Sequence, residues 1–211
     1  VARADIVDRN GEQLATSVTV YSLVANPQLI WDPREVATRL AGVLPEIDVA
    51  SLTERLSDQS REFVWVKRGL TPRQRQTVFD LGLEGLWFKE EISRAYPRGT
   101  LAGQVLGFVN VDGVGAGGVE FSQNERLTAG GEPLRLTIDN GVQAAVEAEL
   151  ATSAAADGFE GAAVILLEAR TGEVRAMASW PPFNPNRSSD IAMDDPSRMN
   201  RATGALYELG S

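Results

Sequence analysis

Covalent chemistry in this chain would have to run through a hydroxyl. The 211 residues include neither His nor Cys, which removes imidazole general bases, thiolate nucleophiles, disulfides and most zinc sites. A serine nucleophile at neutral pH then needs a Lys or a carboxylate within hydrogen-bond reach as its base. Lysine occurs only at Lys67 and Lys89, every other cation being Arg. Ser211, the last residue, is the serine of interest, and the sequence stops before a base could follow it.

Other groupings imitate chemistry. Ser122-Gln-Asn124 and Arg170-Thr171-Gly172 resemble the S-x-N and basic-T-G signatures of serine acyltransferases. The second falls in a hairpin turn and the first precedes the segment that would use it, so coincidence is the better reading. Gly113-Val-Gly115-Ala-Gly-Gly118 fits G-x-G-x-x-G. A dinucleotide site would need it between a strand and a helix of a βαβ unit, and the piece that follows is short and polar. Glu90–Glu91 and Asp194–Asp195 could ligate a metal or form an acid/base pair. Neither has a third ligand at suitable spacing, so solvated surface fits better. No cofactor and no metal site is expected.

The elements that must position these groups read as α+β. A length of 211 residues allows one or two domains with a proper core, and 43% hydrophobic with 23% charged residues excludes wholesale disorder. A net charge of −9 without a long basic run argues against nucleic acid as a partner. No apolar run approaches the ~20 residues of a membrane span. Because the chain opens on Val1 in mid-pattern, a longer parent is expected. Residues 3–26 predict two strands around the turn Asp8-Arg9-Asn10-Gly11. Helices are predicted after Asp32-Pro33, over 48–57 and after Thr71-Pro72, with a strand at 63–66 and strand material at 86–88 and Ile92.

The stretch from Arg94 to Glu120 is dense in Gly yet carries Leu101, Val105, Leu106, Phe108 and Val109. That combination predicts a folded junction pinned by an Arg94–Glu120 pair rather than a surface loop. A short helical piece over 121–127 and a Gly-rich connection over 128–133 follow, where a domain boundary is placed. Beyond it, a strand over 134–138, a helix capped by Asp139, a buried strand over 163–167 and a hairpin into 173–180 are predicted. From Pro181 the chain reads as irregular.

In this order the motifs resemble one family, the class B penicillin-binding proteins, and within it the division-type (septal) peptidoglycan transpeptidases. Arg3…Ile6-Val-Asp8-Arg9-Asn10-Gly11…Leu14-Ala15 is similar to the family's opening, with Ala4 where Gly is usual. Arg94-x-Tyr96-Pro97-x-Gly99, Gly107-Phe108-Val109 and Gly115-x-x-Gly118-x-Glu120 are similar to its second and third motifs. Thr137-Ile138-Asp139…Gln143, Thr171-Gly172-Glu173…Ala176-Met177-Ala178 and Pro182-x-Asn184-Pro185-Asn186 match the entry to its transpeptidase domain. Asn200-Arg201-Ala202…Tyr207-Glu208-Leu209-Gly210-Ser211 resembles the lead-in to its active-site serine.

The resemblance implies a non-catalytic pedestal (dimerisation-type) domain over 1–130. Residues 131–211 would be the start of a penicillin-binding/β-lactamase-like transpeptidase domain, with Ser211 acylated by a stem peptide or a β-lactam. The Lys of S-x-x-K, the functional S-x-N and the K-T-G lie downstream in that family, and its membrane-anchoring helix lies upstream. The chain by itself is therefore expected to be inactive. An extracytoplasmic location on the cytoplasmic membrane is implied, with division-complex membrane proteins as partners of the pedestal. The rival reading from the same residues is a non-catalytic scaffold.

Overall fold

The computed structural model describes residues 2–206, which fall into two compact units, one made of residues 1–17 and 94–211 and the other of 18–93. The first unit opens with β1 (Ile6–Val7), antiparallel to the start of β2 (Gln13–Ala25) through Ile6↔Ala15 and Val7↔Gln13. Strand β2 continues past residue 17 into the second unit.

In the second unit Asp32 caps α1 (Pro33–Val43), its carboxylate accepting the N–H groups of Arg34 and Glu35, with Pro33 in the first turn. Helix α2 (Val49–Ser57) starts on the Asp48 cap, followed by β3 (Val64–Leu70). A Thr71/Gln74 capping box opens α3 (Pro72–Asp80). Strand β4 (Leu86–Ala95) then leads back towards the first unit. Strands β3 and β4 both pair with β2, β3 in antiparallel register from Tyr21↔Leu70 to Ala25↔Val64. Leu40, Leu44, Leu52 and Leu56 pack with Leu23, Ala25 and Val64, all buried. At about 1.5–3 kcal/mol per fully buried aliphatic side chain, this cluster holds the helices to the strands.

Back in the first unit, the junction carries a single-turn helix α4 (Gly103–Leu106) and two more short helices, α5 (Gly118–Ser122) and α6 (Asn124–Thr128). Strand β5 (Leu134–Arg135) runs parallel to β1. Its regular pairing is shorter than the predicted 134–138, but the contact with the first segment continues: Leu136 N–H donates to the Val7 carbonyl and Arg9 N–H to the Ile138 carbonyl, before Asp139 N–H donates to the Arg175 carbonyl. Asp139 caps α7 (Asn140–Asp157), which ends on Gly158 at φ +68°. The hairpin of β6 (Ala162–Leu167) and β7 (Val174–Trp180) pairs from Ala162↔Trp180 to Leu167↔Val174. Two 3-10 turns, at Pro185–Asp190 and Pro196–Arg198, precede the short α8 (Arg201–Gly204). Ile6, Leu14, Ala15, Tyr96, Leu106, Leu127 and Leu134 form this unit's core.

One expectation is overturned. The apolar run 163–167 is a strand but not a buried one: Val164, Ile165, Leu166 and Leu167 are 36%, 45%, 45% and 56% exposed. Among the described residues β6 pairs only with β7.

Candidate functional site

Glu120 is the centre of the first unit's polar interior. Its side chain is fully buried, as is that of Arg94 at 1% exposure, while Arg3 shows 7%. Arg3 donates from Nε at 3.0 Å and from Nη2 at 2.8 Å to Oε2. Arg94 donates from Nε to Oε1 at 2.7 Å, so each carboxylate oxygen is held by its own guanidinium. A buried charge is tolerable only when paired and hydrogen-bonded, and the remaining Arg3 donors meet the Gly113 carbonyl, Asn124 Oδ1 and Thr128 Oγ1. The Tyr96 hydroxyl lies 3.5 Å from Oε1. Burial, with the Glu120 charge adding to it, pushes its phenol above the ordinary tyrosine value, so it remains a donor.

The expected Arg94–Glu120 pin is therefore present, with Arg3 as its second arm. Walled off from solvent, the ion pair offers no face to a substrate and acts as a fastener. The glycines around it serve close approach. A Cβ on Gly115 would sit 1.9 Å from the Glu120 carbonyl oxygen, and one on Gly107 1.9 Å from that of Gly117. The G-x-G-x-x-G run thus folds as a turn around Glu120, bridged through Val109↔Gly115, and opens only the five-residue α5.

A second buried carboxylate organises the Asp8-Arg9-Asn10-Gly11 turn. Asp8 Oδ1 accepts the N–H groups of Asn10 and Glu12, and Oδ2 accepts the Asn140 N–H at the start of α7. Burial pushes its pKa up, but these donors outweigh that and hold it below the ordinary aspartate value. Glu147 on α7 goes the other way: burial raises its carboxyl above the usual range, opposed by donors from Gln143 and the Ala102 N–H. Gln143 in turn accepts the Met177 N–H and donates to the Met177 carbonyl, fixing α7 to β7. Glu147 borders a cleft of about 330 Å³ with Arg98, Leu101, Ser179 and Trp180.

Ser211 and the residues 207–210 before it lie outside the described residues. Their approach is visible as far as α8, where Asn200 caps the Ala202 N–H and the Arg201 N–H donates to Ser179 Oγ. Ser122 Oγ meets only the Val119 carbonyl, and Asn124 serves Arg3 and the Gly115 N–H, so that pair is structural. Thr171 and Gly172 close the β6–β7 hairpin against Glu168. In the second unit Glu90 accepts from Tyr21, and Glu91 from Ser22 with Arg68 nearby. Asp195 caps the turn at Ser197, and among the described residues no group of three or more carboxylates could hold a metal.

Sequence reasoning missed Gln104, Glu147 and Arg198. Glu147 carried a signal, its i+4 spacing from Gln143; the other two bond to distant carbonyls and left no pattern.

Residues 1–151 match the sequence profile described as the penicillin-binding protein dimerisation domain. The chain is 40% identical over 214 residues to the probable peptidoglycan D,D-transpeptidase FtsI of Caulobacter vibrioides, covering 100% of this chain and 36% of that protein. It is 30% identical over 243 residues to the peptidoglycan D,D-transpeptidase FtsI of Escherichia coli K12, covering 100% and 40%. The chain thus spans about two-fifths of the curated relatives it matches.

Among solved structures, a peptidoglycan synthetase from Bifidobacterium adolescentis superposes with a TM-score of 0.53 at 26% identity, over 86% of this chain and 43% of that one. Penicillin-binding protein 2X of Streptococcus thermophilus gives a TM-score of 0.56 at 22% identity, over 88% and 35%, a likeness of fold. The mixed helix-and-strand architecture expected from the sequence is the one these structures share.

Proposed function

Because the chain belongs to the penicillin-binding protein dimerisation-domain family, we propose that it is part of a peptidoglycan D,D-transpeptidase of cell division. The observation that carries this is the 40% identity along its whole length to a probable transpeptidase of that kind. In this reading residues 1–130 are the pedestal, residues 131–211 enter the transpeptidase domain, and Ser211 is the nucleophile. Its Oγ attacks the carbonyl between the two terminal D-Ala residues of a stem peptide. A Lys three positions on takes the hydroxyl proton and returns it to the departing D-Ala. Backbone N–H groups stabilise the oxyanion. An acceptor amine then attacks the acyl-serine, loses its proton and restores the hydroxyl. A β-lactam acylates the same oxygen. The intact protein sits on the outer face of the cytoplasmic membrane, held by an upstream helix; among the described residues no helix is long and apolar enough to cross a membrane.

Fluorescent penicillin tests the reading. The full-length protein is labelled stoichiometrically, Ser211→Ala abolishes the label, and residues 1–211 alone remain unlabelled. Labelling that survives Ser211→Ala removes Ser211 from the mechanism.

A second reading concerns partners. The unit over 18–93 exposes Trp31 completely and Phe79 and Trp87 at 68% and 40%. Exposed aromatic residues of this size favour protein contacts. They support the pedestal as a surface for division-complex membrane proteins. Capture of partner ectodomains by the full-length protein, lost with Trp31→Ala and Phe79→Ala together, is the expected result. Undiminished capture removes these residues from the interface.

A further inference from the structure

The route from the junction to α8 is fixed by one amide. Gln104 is 9% exposed and spends both hydrogens of Nε2 on backbone carbonyls, Pro181 at 2.8 Å and Ser197 at 3.0 Å. Those carbonyls bound the irregular excursion that begins as β7 ends and finishes just before the Asn200 cap. One side chain therefore ties both ends of the loop to α4. The backbone of α4 is itself pressed against the loop, since a Cβ on Gly103 would lie 2.0 Å from the Phe183 carbonyl oxygen.

Two further contacts stiffen the loop. Asn186 accepts the Tyr96 N–H at 2.9 Å and donates to the Tyr96 carbonyl at 2.8 Å. From inside, Arg198 donates to the carbonyls of Ser188, Ile191 and Ala192. Its guanidinium lies 4.9 Å and 5.6 Å from the ring centres of Phe108 and Phe183. A loop bounded at both ends, pinned in the middle and filled by its own Arg has little freedom, and Arg201 continues the tether to Ser179.

We propose that Gln104 is a positioning residue for acyl transfer, setting where the segment that ends in Ser211 leaves the junction. This rests on the reading of Ser211 as the acylated nucleophile. Gln104 touches neither substrate nor serine; it acts through the Pro181 and Ser197 carbonyls. Losing it leaves the buried Ser197 carbonyl and the half-buried Pro181 carbonyl short of a donor and frees the loop ends. Misplacement on the ångström scale at a reacting centre costs up to ~10²-fold in rate.

The test uses the full-length protein and the kinetics of acylation by fluorescent penicillin. In this step the serine Oγ–C bond forms, the lactam C–N bond breaks and the serine proton goes to the lactam nitrogen. Gln104→Met keeps the side chain's length without its donors. It is expected to lower the acylation rate constant by about tenfold and to leave the dissociation constant of the first, noncovalent complex within about twofold. Should that variant fold poorly, Asn186→Ala, at an exposed position, is expected to lower the same rate constant by about threefold. Leu40→Ala, in the core of the other unit, serves as control: it lowers the melting temperature without changing the acylation rate constant. Normal labelling at Ser211 with unchanged rate constants in the Gln104 and Asn186 variants overturns the proposal alone. So does a loss that Leu40→Ala reproduces. No labelling of the unsubstituted protein, or labelling that survives Ser211→Ala, removes the reading of Ser211 and the proposal with it.

Discussion

Arg3 and Glu120 stand 117 residues apart in sequence and share two hydrogen bonds to a single carboxylate oxygen, from Nε at 3.0 Å and from Nη2 at 2.8 Å. With Arg94 on the other oxygen, the carboxylate joins the start of the chain, the end of β4 and the Gly-rich turn. It does so in a place water does not reach. Closing a contact over so long a loop removes conformational freedom from the intervening chain, and the buried carboxylate acts as its fastener.

Replacing one partner is the sharpest test of that role. Glu120→Gln leaves two buried guanidinium groups facing a neutral amide, and the expected cost is about 3–5 kcal/mol. Arg94→Met alone falls in the same range, and the double variant costs less than the sum of the two. Denaturant unfolding of the single and double variants measures this. Additivity, or a cost under about 1 kcal/mol as for an exposed pair, would show that the ion pair is not closed in solution.

Asp8 makes a claim about pH. Its carboxyl is held below the ordinary value of 3.8 by the N–H groups of Glu12, Asn140 and Asn10. A depressed folded-state value means the ionised form stabilises the fold. The contribution is complete above the unfolded value and is lost as pH falls through the folded one. Asp8→Asn turns an acceptor into a donor against these N–H groups and is expected to cost about 2 kcal/mol at pH 7. The gap from the unsubstituted protein should narrow below pH 3.8. A gap that stays constant on acidification falsifies the assignment.

The glycines separate into two kinds. Gly42 lies inside α1, and a Cβ added there would have nothing within 4 Å, whereas the same atom on Gly115 meets the Glu120 carbonyl at 1.9 Å. Gly42→Ala is expected to stabilise by about 0.5–1 kcal/mol through helix propensity. Gly115→Ala must move backbone and is expected to cost about 3 kcal/mol or more. Melting temperatures moving in opposite directions would confirm the distinction; two small shifts of the same sign would remove it.

What could be read ahead of the structure follows the range of the interactions. Caps are local, so Asp32-Pro33, Thr71-Pro72 and Asp139 marked their helices correctly. Arg94 and Glu120 could be paired because the apolar residues between them made a surface loop implausible. The β6 run shows the limit. A continuous apolar stretch reports that a strand has the composition for burial, while burial itself depends on what lies against it, and here Val164 to Leu167 remain exposed. Gln104 and Arg198 were invisible for a related reason. Their partners are backbone carbonyls, which carry no residue identity and so leave no pattern in a sequence.

Glu147 behaves oppositely to Asp8 and gives the last prediction. Burial raises its carboxyl above the ordinary value of 4.5, and the donors from Gln143 and the Ala102 N–H offset this only in part. The folded state therefore binds the proton more tightly than the unfolded state. Stability from this group is full below the unfolded value and declines as pH rises through the folded one. The ionised form at neutral pH is the costly one, yet its oxygen is needed: the Ala102 N–H that it accepts belongs to a residue held at φ +54°, in the left-handed region. Glu147→Gln keeps an oxygen acceptor for that N–H and removes the charge. The variant is expected to melt no lower than the unsubstituted protein at pH 7 and to lose the decline in stability above pH 4.5. Glu147→Ala loses the acceptor too and should melt lower at every pH. If Glu147→Gln instead proved as unstable as Glu147→Ala at pH 7, the carboxylate charge itself would be the stabilising feature and the burial argument would fail.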